Sequence, residues 1–354
     1  MNTLSNLSLV ITDDCNFSCV YCPQKKESNY MKKSTVEKTV DFFYPYFKDK
    51  CHITFFGGEP LLAFDLITYA VKLIKSKNLD GSKKIEFSLT TNGSLLNNEM
   101  LEFFNLEKFF IMLSYDGLAQ DESRNTGSAN QIEEIINKVP QYKDIHFSIF
   151  SVFTPHTIGT FSKSLRHIIE IGGKEITFDL AQGIEWDQDS LHIFEIQLNE
   201  LIKFVNANYS LKSAIPIKNL RAEVRTGEFP FSCSAGQDRL SIGPDESIWG
   251  CYLFHDYMKQ HRDDDDYLTY RFGSLDDFIQ SPDTVYNRVS ENYTLLSQDH
   301  FLTHNGLCLF CDEVNQCGIC PINAAYSTGF IGKIPVWACQ AHQIKKQILL
   351  KIKC

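Results

Sequence analysis

The stretch TDDCNFSCVYCPQ, residues 12–24, sets three cysteines close together, at Cys15, Cys19 and Cys22. Three thiolates hold three irons of a [4Fe–4S] cluster and leave the fourth iron open to a small molecule. Zinc is the rival ion. A structural zinc needs a fourth ligand, and His52 could in principle supply it, although it belongs at the opposite end of the fold. A second group follows far downstream at Cys233, Cys251, Cys308, Cys311, Cys317, Cys320 and Cys339. Its CxxC-x5-CxxC core is tighter than a zinc ribbon, which separates its two knuckles by a longer segment. Cys51 reads as a buried structural thiol, and Cys354 ends the chain.

The elements that must position these residues alternate. Strands are expected at 7–12, 52–56, 84–91, 109–115, 145–153 and 175–181. Helices are expected at 34–49, 62–78, 97–107, 130–139, 160–171 and 190–208, the first opening on Ser34 and Glu37 as a capping box. Six βα units predict an α/β fold, a partial (β/α)6 TIM-like barrel over residues 1–210. A doubly wound sheet is the alternative that periodicity leaves open. Residues 211–230 read as a connector and 231–354 as a small cysteine-rich domain. The first cysteine loop follows the first strand, and FFGGEPLL (55–62), TTNG (90–93) and SYDG (114–117) close the next three. Ligands gather at the carboxyl ends of such strands.

The bulk numbers exclude some classes. A formal net charge of −10 without a basic, aromatic-laced stripe argues against nucleic-acid binding. No apolar run is long enough to span a membrane, and the N-terminus lacks a secretory layout. A cytoplasmic protein is expected. There thiols stay reduced, so the clustered cysteines point to metal rather than to disulfides. The acidic run HRDDDDYLTY (261–270) reads as a solvated surface loop.

CNFSCVYC resembles the CxxxCxxC signature of the radical S-adenosylmethionine (radical SAM) enzymes. The resemblance implies that Cys15, Cys19 and Cys22 hold a [4Fe–4S] cluster whose open iron chelates SAM, and that its cleavage yields a 5′-deoxyadenosyl radical. It implies that Tyr21 packs against the adenine and that Gly57, Gly58 and Glu59, in a GGEP motif, contact the amino group. Thr91 and Asn92 would line the SAM pocket, with Ser114 and Arg124 as ribose or carboxylate contacts.

The downstream cysteines resemble the SPASM extension of radical SAM enzymes that modify peptides, which carries two auxiliary [4Fe–4S] clusters. By that analogy Cys308, Cys311, Cys317 and Cys339 hold the outer cluster, and Cys233, Cys251 and Cys320 the inner one. The inner cluster is then one protein ligand short, open to substrate or closed by a residue such as Cys354. Two departures stand out. Glu246 occupies the glycine position of a usual PDG turn, and two residues rather than three separate Cys317 from Cys320.

The resemblance implies an oxidoreductase that abstracts a hydrogen from a ribosomally made precursor peptide, as in RiPP biosynthesis. A carbon–carbon cyclophane cross-link is the first expectation and a thioether the next. Formylglycine formation on sulfatases and peptide epimerisation are alternatives. Sulfatase maturases carry an aspartate base directly after the second SPASM cysteine, where this chain has Tyr252. A non-catalytic metal-binding module that recognises a peptide is the reading from a different class. Asp179, Gln182 and Glu185 are expected near the substrate, and Asp256 is a further base candidate. The expected partners are the peptide, an external one-electron donor of flavodoxin or ferredoxin type, and a separate leader-binding protein. With the first cysteine at residue 15, a preceding leader-binding domain is not expected, and β-strand addition to an exposed edge is one docking mode.

Overall fold

The computed structural model describes residues 2–221, 233–296, 306–312 and 317–353. Six strands alternate with helices: β1 (Leu4–Thr12), β2 (Phe47–Gly57), β3 (Lys84–Thr91), β4 (Phe110–Ser114), β5 (His146–Phe153) and β6 (Ile176–Leu180). All six are parallel, and their spatial order is strictly sequential. A doubly wound sheet reverses order at a switch point. None is present here, so the alternative is set aside and the partial barrel stands.

The expected helices appear with shifted ends. The helix foreseen at 34–49 is Lys33–Phe43, and Tyr44–Tyr46 forms a single 3-10 turn before β2. Pro45 lacks the N–H a continuing helix needs. The capping box is not formed. Lys32 takes the N-cap position without a side-chain bond, and Glu37 accepts from the Tyr69 hydroxyl instead.

Strand alternation divides the sheet into two faces. Leu7, Leu9, Ile53, Phe55, Leu89, Ile111 and Leu113 face the helices and are almost fully buried in the main core, with Cys51 among them. Burial raises the Cys51 thiol to about 12, as befits an inert structural cysteine. The concave face carries Asn6, Ser8, Thr54, Phe56, Ser88 and Met112.

The cysteine-rich segment does not stand apart from the barrel. Its strand β7 (Arg239–Ile242) pairs in parallel with β1, and β8 (Ser247–Trp249) and β9 (Gly273–Ser274) extend the same sheet antiparallel, making nine strands. Glu246, in the β7–β8 turn, adopts φ +63°, the region that favours glycine. Its carboxylate accepts from Thr35 Oγ1 at 2.8 Å and Lys38 Nζ at 3.4 Å, which ties the turn to the first helix. Much of the expected connector and Cys354 lie outside the described residues. Among the described residues no helix is long and apolar enough to cross a membrane.

Candidate active site

The carboxyl ends of the strands converge on a cavity of about 380 Å³. The loop after β1 brings Cys15, Cys19 and Cys22 to it, all half-buried. This loop is held from behind. Thr12 Oγ1 donates to the Asn29 carbonyl at 2.7 Å, and the Cys15 amide donates to Asp14 Oδ1 at 2.8 Å. Burial pushes all three thiols up, and each also feels another member of the trio. Mutually close thiols of raised pKa stay protonated until a cation draws the protons off. The donor set therefore suits a thiophilic metal group with one open position.

The glycines of the second loop are needed for close backbone approach. A Cβ at Gly57 would lie 2.2 Å from the Thr12 carbonyl oxygen, and one at Gly58 would lie 2.2 Å from that of Asp14. Without side chains, the Gly58 and Glu59 amides donate to those two carbonyls at 2.9 and 2.8 Å. Both glycines line the cavity. Glu59 does not. Its buried carboxylate accepts from the Leu61 amide, Thr91 Oγ1 and the Asn92 amide at 3.1, 2.7 and 2.7 Å. Its side chain thus joins the second loop to the third. Burial raises its pKa to about 7 against those donors.

Thr91, Asn92 and Ser114 line the cavity as well. Asn92 Nδ2 donates to Asn16 Oδ1 at 2.9 Å, inside the cysteine loop. Arg124 is buried rather than solvated. Its Nη2 meets Asp116 Oδ1 at 2.9 Å, its guanidinium lies 5.4 Å from the Tyr21 ring centre, and its Nε is buried without a partner. Asp116, in SYDG, is the residue sequence reading passed over. It is fully buried and also accepts from Tyr21, Ser123 and the Val152 amide. Lys26 was missed too; it lines the cavity and its charge opposes the upward shift of all three thiols.

On the opposite side, Asp179 and Gln182 reach the cavity, and Gln182 Oε1 is buried with no partner. Glu185 does not reach it. The chain turns at Gly183, leaving Glu185 exposed while Trp186 packs inward. Asp256 is buried against the cavity and accepts from Gln24 Nε2. Burial raises its pKa to about 6.

The downstream cysteines gather in two sets. Cys233, Cys251 and Cys320 line one small cavity with Phe254, Tyr293 and Leu296, and none of the other described residues lining it is a cysteine, a histidine or a carboxylate. Burial raises Cys251 to about 12, helped by Cys320 and Cys233, and raises Cys320 to about 11, helped by Cys233. Cys317 is raised to about 11 by burial and by Cys308, Cys339 and Cys311, so these four form the second set. The helix Tyr252–Met258 begins at Cys251 and the helix Pro321–Thr328 at Cys320. Tyr252, Leu253 and Asp256 of the first, and Asn323 and Tyr326 of the second, line the cavity that holds the first trio. A buried ion group fastens the two parts together: Asp13 Oδ1 meets His255 Nε2 at 3.1 Å and Lys259 Nζ at 3.0 Å. Burial opposes ionisation of Asp13, but the two cations outweigh it and its carboxyl lies below the usual value.

Residues 9–170 match the Radical SAM superfamily. The chain is 25% identical over 229 residues to the cysteine-type anaerobic sulfatase-maturating enzyme of Clostridium perfringens, covering 60% of each chain. It is 22% identical over 350 residues to the radical SAM cyclopropyl synthase TigE of Paramaledivibacter caminithermalis, covering 89% of this chain and 67% of that one. The chain spans between 46% and 63% of the length of the first curated relatives it matches. Its fold matches native anSMEcpe with bound AdoMet and Cp18Cys peptide at TM-score 0.75 and 20% identity, over 98% of this chain and 97% of that one. It matches Streptococcus suis SuiB bound to precursor peptide SuiA at TM-score 0.59 and 17% identity, over 94% and 75%.

Proposed function

We propose that the chain, whose residues 9–170 match the Radical SAM superfamily, is a radical SAM/SPASM peptide maturase. It takes a hydrogen from a ribosomally made precursor peptide and closes an intramolecular bond, a carbon–carbon cyclophane link first and a thioether next. The observation that carries this reading is the shared cavity: the Cys15–Cys19–Cys22 loop forms one side, and the helices that start at Cys251 and Cys320 form another. With a [4Fe–4S] cluster on the first trio and SAM in the cavity, the site would supply a 5′-deoxyadenosyl radical, and auxiliary clusters on the two other cysteine sets would accept the electron released by a net oxidation.

The chain's own residues position the reactants. The Gly58 and Glu59 amides and Asn92 hold the cysteine loop in place. Tyr21 and Arg124, both fixed by Asp116, line the cavity and would hold the cofactor there, Tyr21 against its adenine and Arg124 through its unpartnered Nε. Asp179 and Gln182 take the peptide side, where the unpartnered Gln182 Oε1 accepts an N–H. Reduction falls to an external one-electron donor of flavodoxin or ferredoxin type, and leader capture to a separate protein. Peptides bound in two structures of similar fold support a peptide substrate.

One observation favours a second reading, formylglycine formation. Asp256 sits one helical turn after Tyr252 and lines the cavity, so a carboxylate base is within the site although it does not follow Cys251 directly.

The test is anaerobic reconstitution followed by co-expression with the short peptide encoded beside the gene. About twelve irons per chain, 5′-deoxyadenosine formation, and a peptide lighter by about two mass units support the cross-link. Zinc in place of iron with no 5′-deoxyadenosine sinks the enzyme reading. An unchanged peptide mass with deuterium taken up from solvent means epimerisation and refutes the cross-link. Oxidation of a cysteine in a sulfatase-derived peptide to formylglycine selects the second reading.

A further inference from the structure

A larger cavity, about 900 Å³, occupies the other end of the barrel. Closed (β/α) barrels fill this space with layers of branched apolar side chains. Here the concave face offers short polar ones joined in a ladder. Ser8 Oγ donates to Asn6 Oδ1 at 3.2 Å, Asn6 Nδ2 to Thr54 Oγ1 at 3.3 Å, and Ser88 Oγ to Thr54 Oγ1 at 3.2 Å; His52 Nε2 meets Ser88 Oγ at 2.8 Å. These side chains satisfy one another and leave the lumen unfilled. Phe56 and Tyr252, stacked at 3.8 Å, form a partition, since both line this cavity and the cysteine cavity above.

The charge in this lumen is opposite to that of the protein. Pairing of β7 with β1 sets Arg239 beside Asn6, and Arg239 Nε is buried with no hydrogen-bond partner. Lys143, Lys174 and Lys218 stand exposed around the mouth. The one carboxylate among the described lining residues, Glu175, is engaged by Lys218 at 3.2 Å and Arg221 at 3.0 Å. A low-dielectric cleft lined by one sign of charge concentrates ions of the other sign, and a buried guanidinium donor without a partner calls for an acceptor. The lumen also has flat apolar surface. The rings of Phe110 and His146 stack at 4.3 Å, near-parallel at 11°.

We propose that the lumen is a second binding site, separate from the cysteine cavity, for a small organic carboxylate with a planar apolar body, anchored by Arg239. Its volume falls in the range of small-molecule sites. The carboxylate takes the free Nε–H of Arg239, and the body rests against the Phe56–Tyr252 partition.

The probe is benzoate, with benzamide as its uncharged isostere, titrated into the full chain carrying its reconstituted clusters and followed by saturation-transfer NMR and calorimetry. Benzoate is expected to bind with a dissociation constant on the order of 1 mM. Benzamide, and benzoate with Arg239→Gln, are expected to bind at least about tenfold more weakly. Lys143→Gln with Lys174→Gln, both at exposed positions, leaves the fold intact and weakens benzoate about two- to threefold. Equal binding of the two probes, no benzoate binding at about 10 mM, or wild-type affinity in a folded Arg239→Gln overturns the proposal. If Arg239→Gln does not fold, the double lysine variant decides: unchanged affinity overturns the proposal.

Discussion

The Tyr21 hydroxyl donates to Asp116 Oδ2 at 2.8 Å across 95 positions of sequence. The same buried carboxylate takes Arg124 Nη2 at 2.9 Å, Ser123 Oγ at 2.7 Å and the Val152 amide at 2.8 Å. One side chain thus joins the cysteine loop, the segment after β4 and strand β5. The aromatic ring and the guanidinium of the site owe their positions to it.

Asp116→Ala should therefore cost far more than the loss of a single hydrogen bond. It strands Arg124 as an uncompensated buried charge, worth about 3–5 kcal/mol. Tyr21→Phe removes one donor to a charged acceptor, about 1.5–3 kcal/mol. Urea unfolding of the two variants checks the order. Equal costs would show that the carboxylate is not the hub.

Gly58→Ala meets backbone rather than a yielding side chain, because its Cβ would lie 2.2 Å from Asp14 O. Overpacking of this kind costs about 1–3 kcal/mol and displaces the loop that carries Cys15. With the three clusters proposed above, iron content after reconstitution should drop from about twelve to about eight per chain. Full iron loading in a folded Gly58→Ala protein contradicts this.

Asp256 makes stability depend on pH in a stated direction. Its folded pKa is raised from 3.8 to about 6 by burial. The unfolded chain releases this proton first, so the contribution is whole below about pH 4 and is lost as pH climbs through about 6, by up to about 3 kcal/mol. Asp256→Asn removes that loss. Urea unfolding at pH 4 and pH 6.5 should show the wild type losing more stability than the variant; parallel curves would refute the assignment.

Glu246 trades backbone comfort for side-chain bonds. Glycine at φ +63° would relieve strain but lose the contacts to Thr35 and Lys38, so Glu246→Gly should change stability by less than about 1 kcal/mol. Glu246→Ala keeps the strain and loses the contacts, and should cost about 1–2 kcal/mol. Thermal unfolding of the pair distinguishes them.

What could be read beforehand had local causes. Alternation along β3 and β5 and the turn chemistry after each strand are properties of short windows, and those elements lie where periodicity put them. The grouping of the downstream cysteines into a trio and a foursome matches what the SPASM resemblance implied, not anything local to each thiol. The hub at Asp116, the Asp13–His255–Lys259 group and the cationic lumen had no such signal. Each joins residues far apart in sequence, and only the fold brings them together. The Glu59 and Glu185 side chains lie outside the cavity lining for one reason: sequence position identifies the loop but not the direction of a side chain within it. Ser34 and Glu37 had the right spacing for a capping box, but the helix starts one residue earlier, at Lys33.

The barrel does not close, which would leave β6 with a bare flank. That flank is occupied from within. The Ile176 amide donates to Pro216 O at 2.9 Å, and the Asn219 side chain accepts from the Phe178 amide at 2.8 Å and donates to its carbonyl at 3.0 Å. A carboxamide here imitates a neighbouring strand. Two copies of the chain cannot zip together along this seam, and an incoming peptide finds no template there. Strand addition, expected as a way to hold the leader, is turned away at this side by the protein's own Asn219.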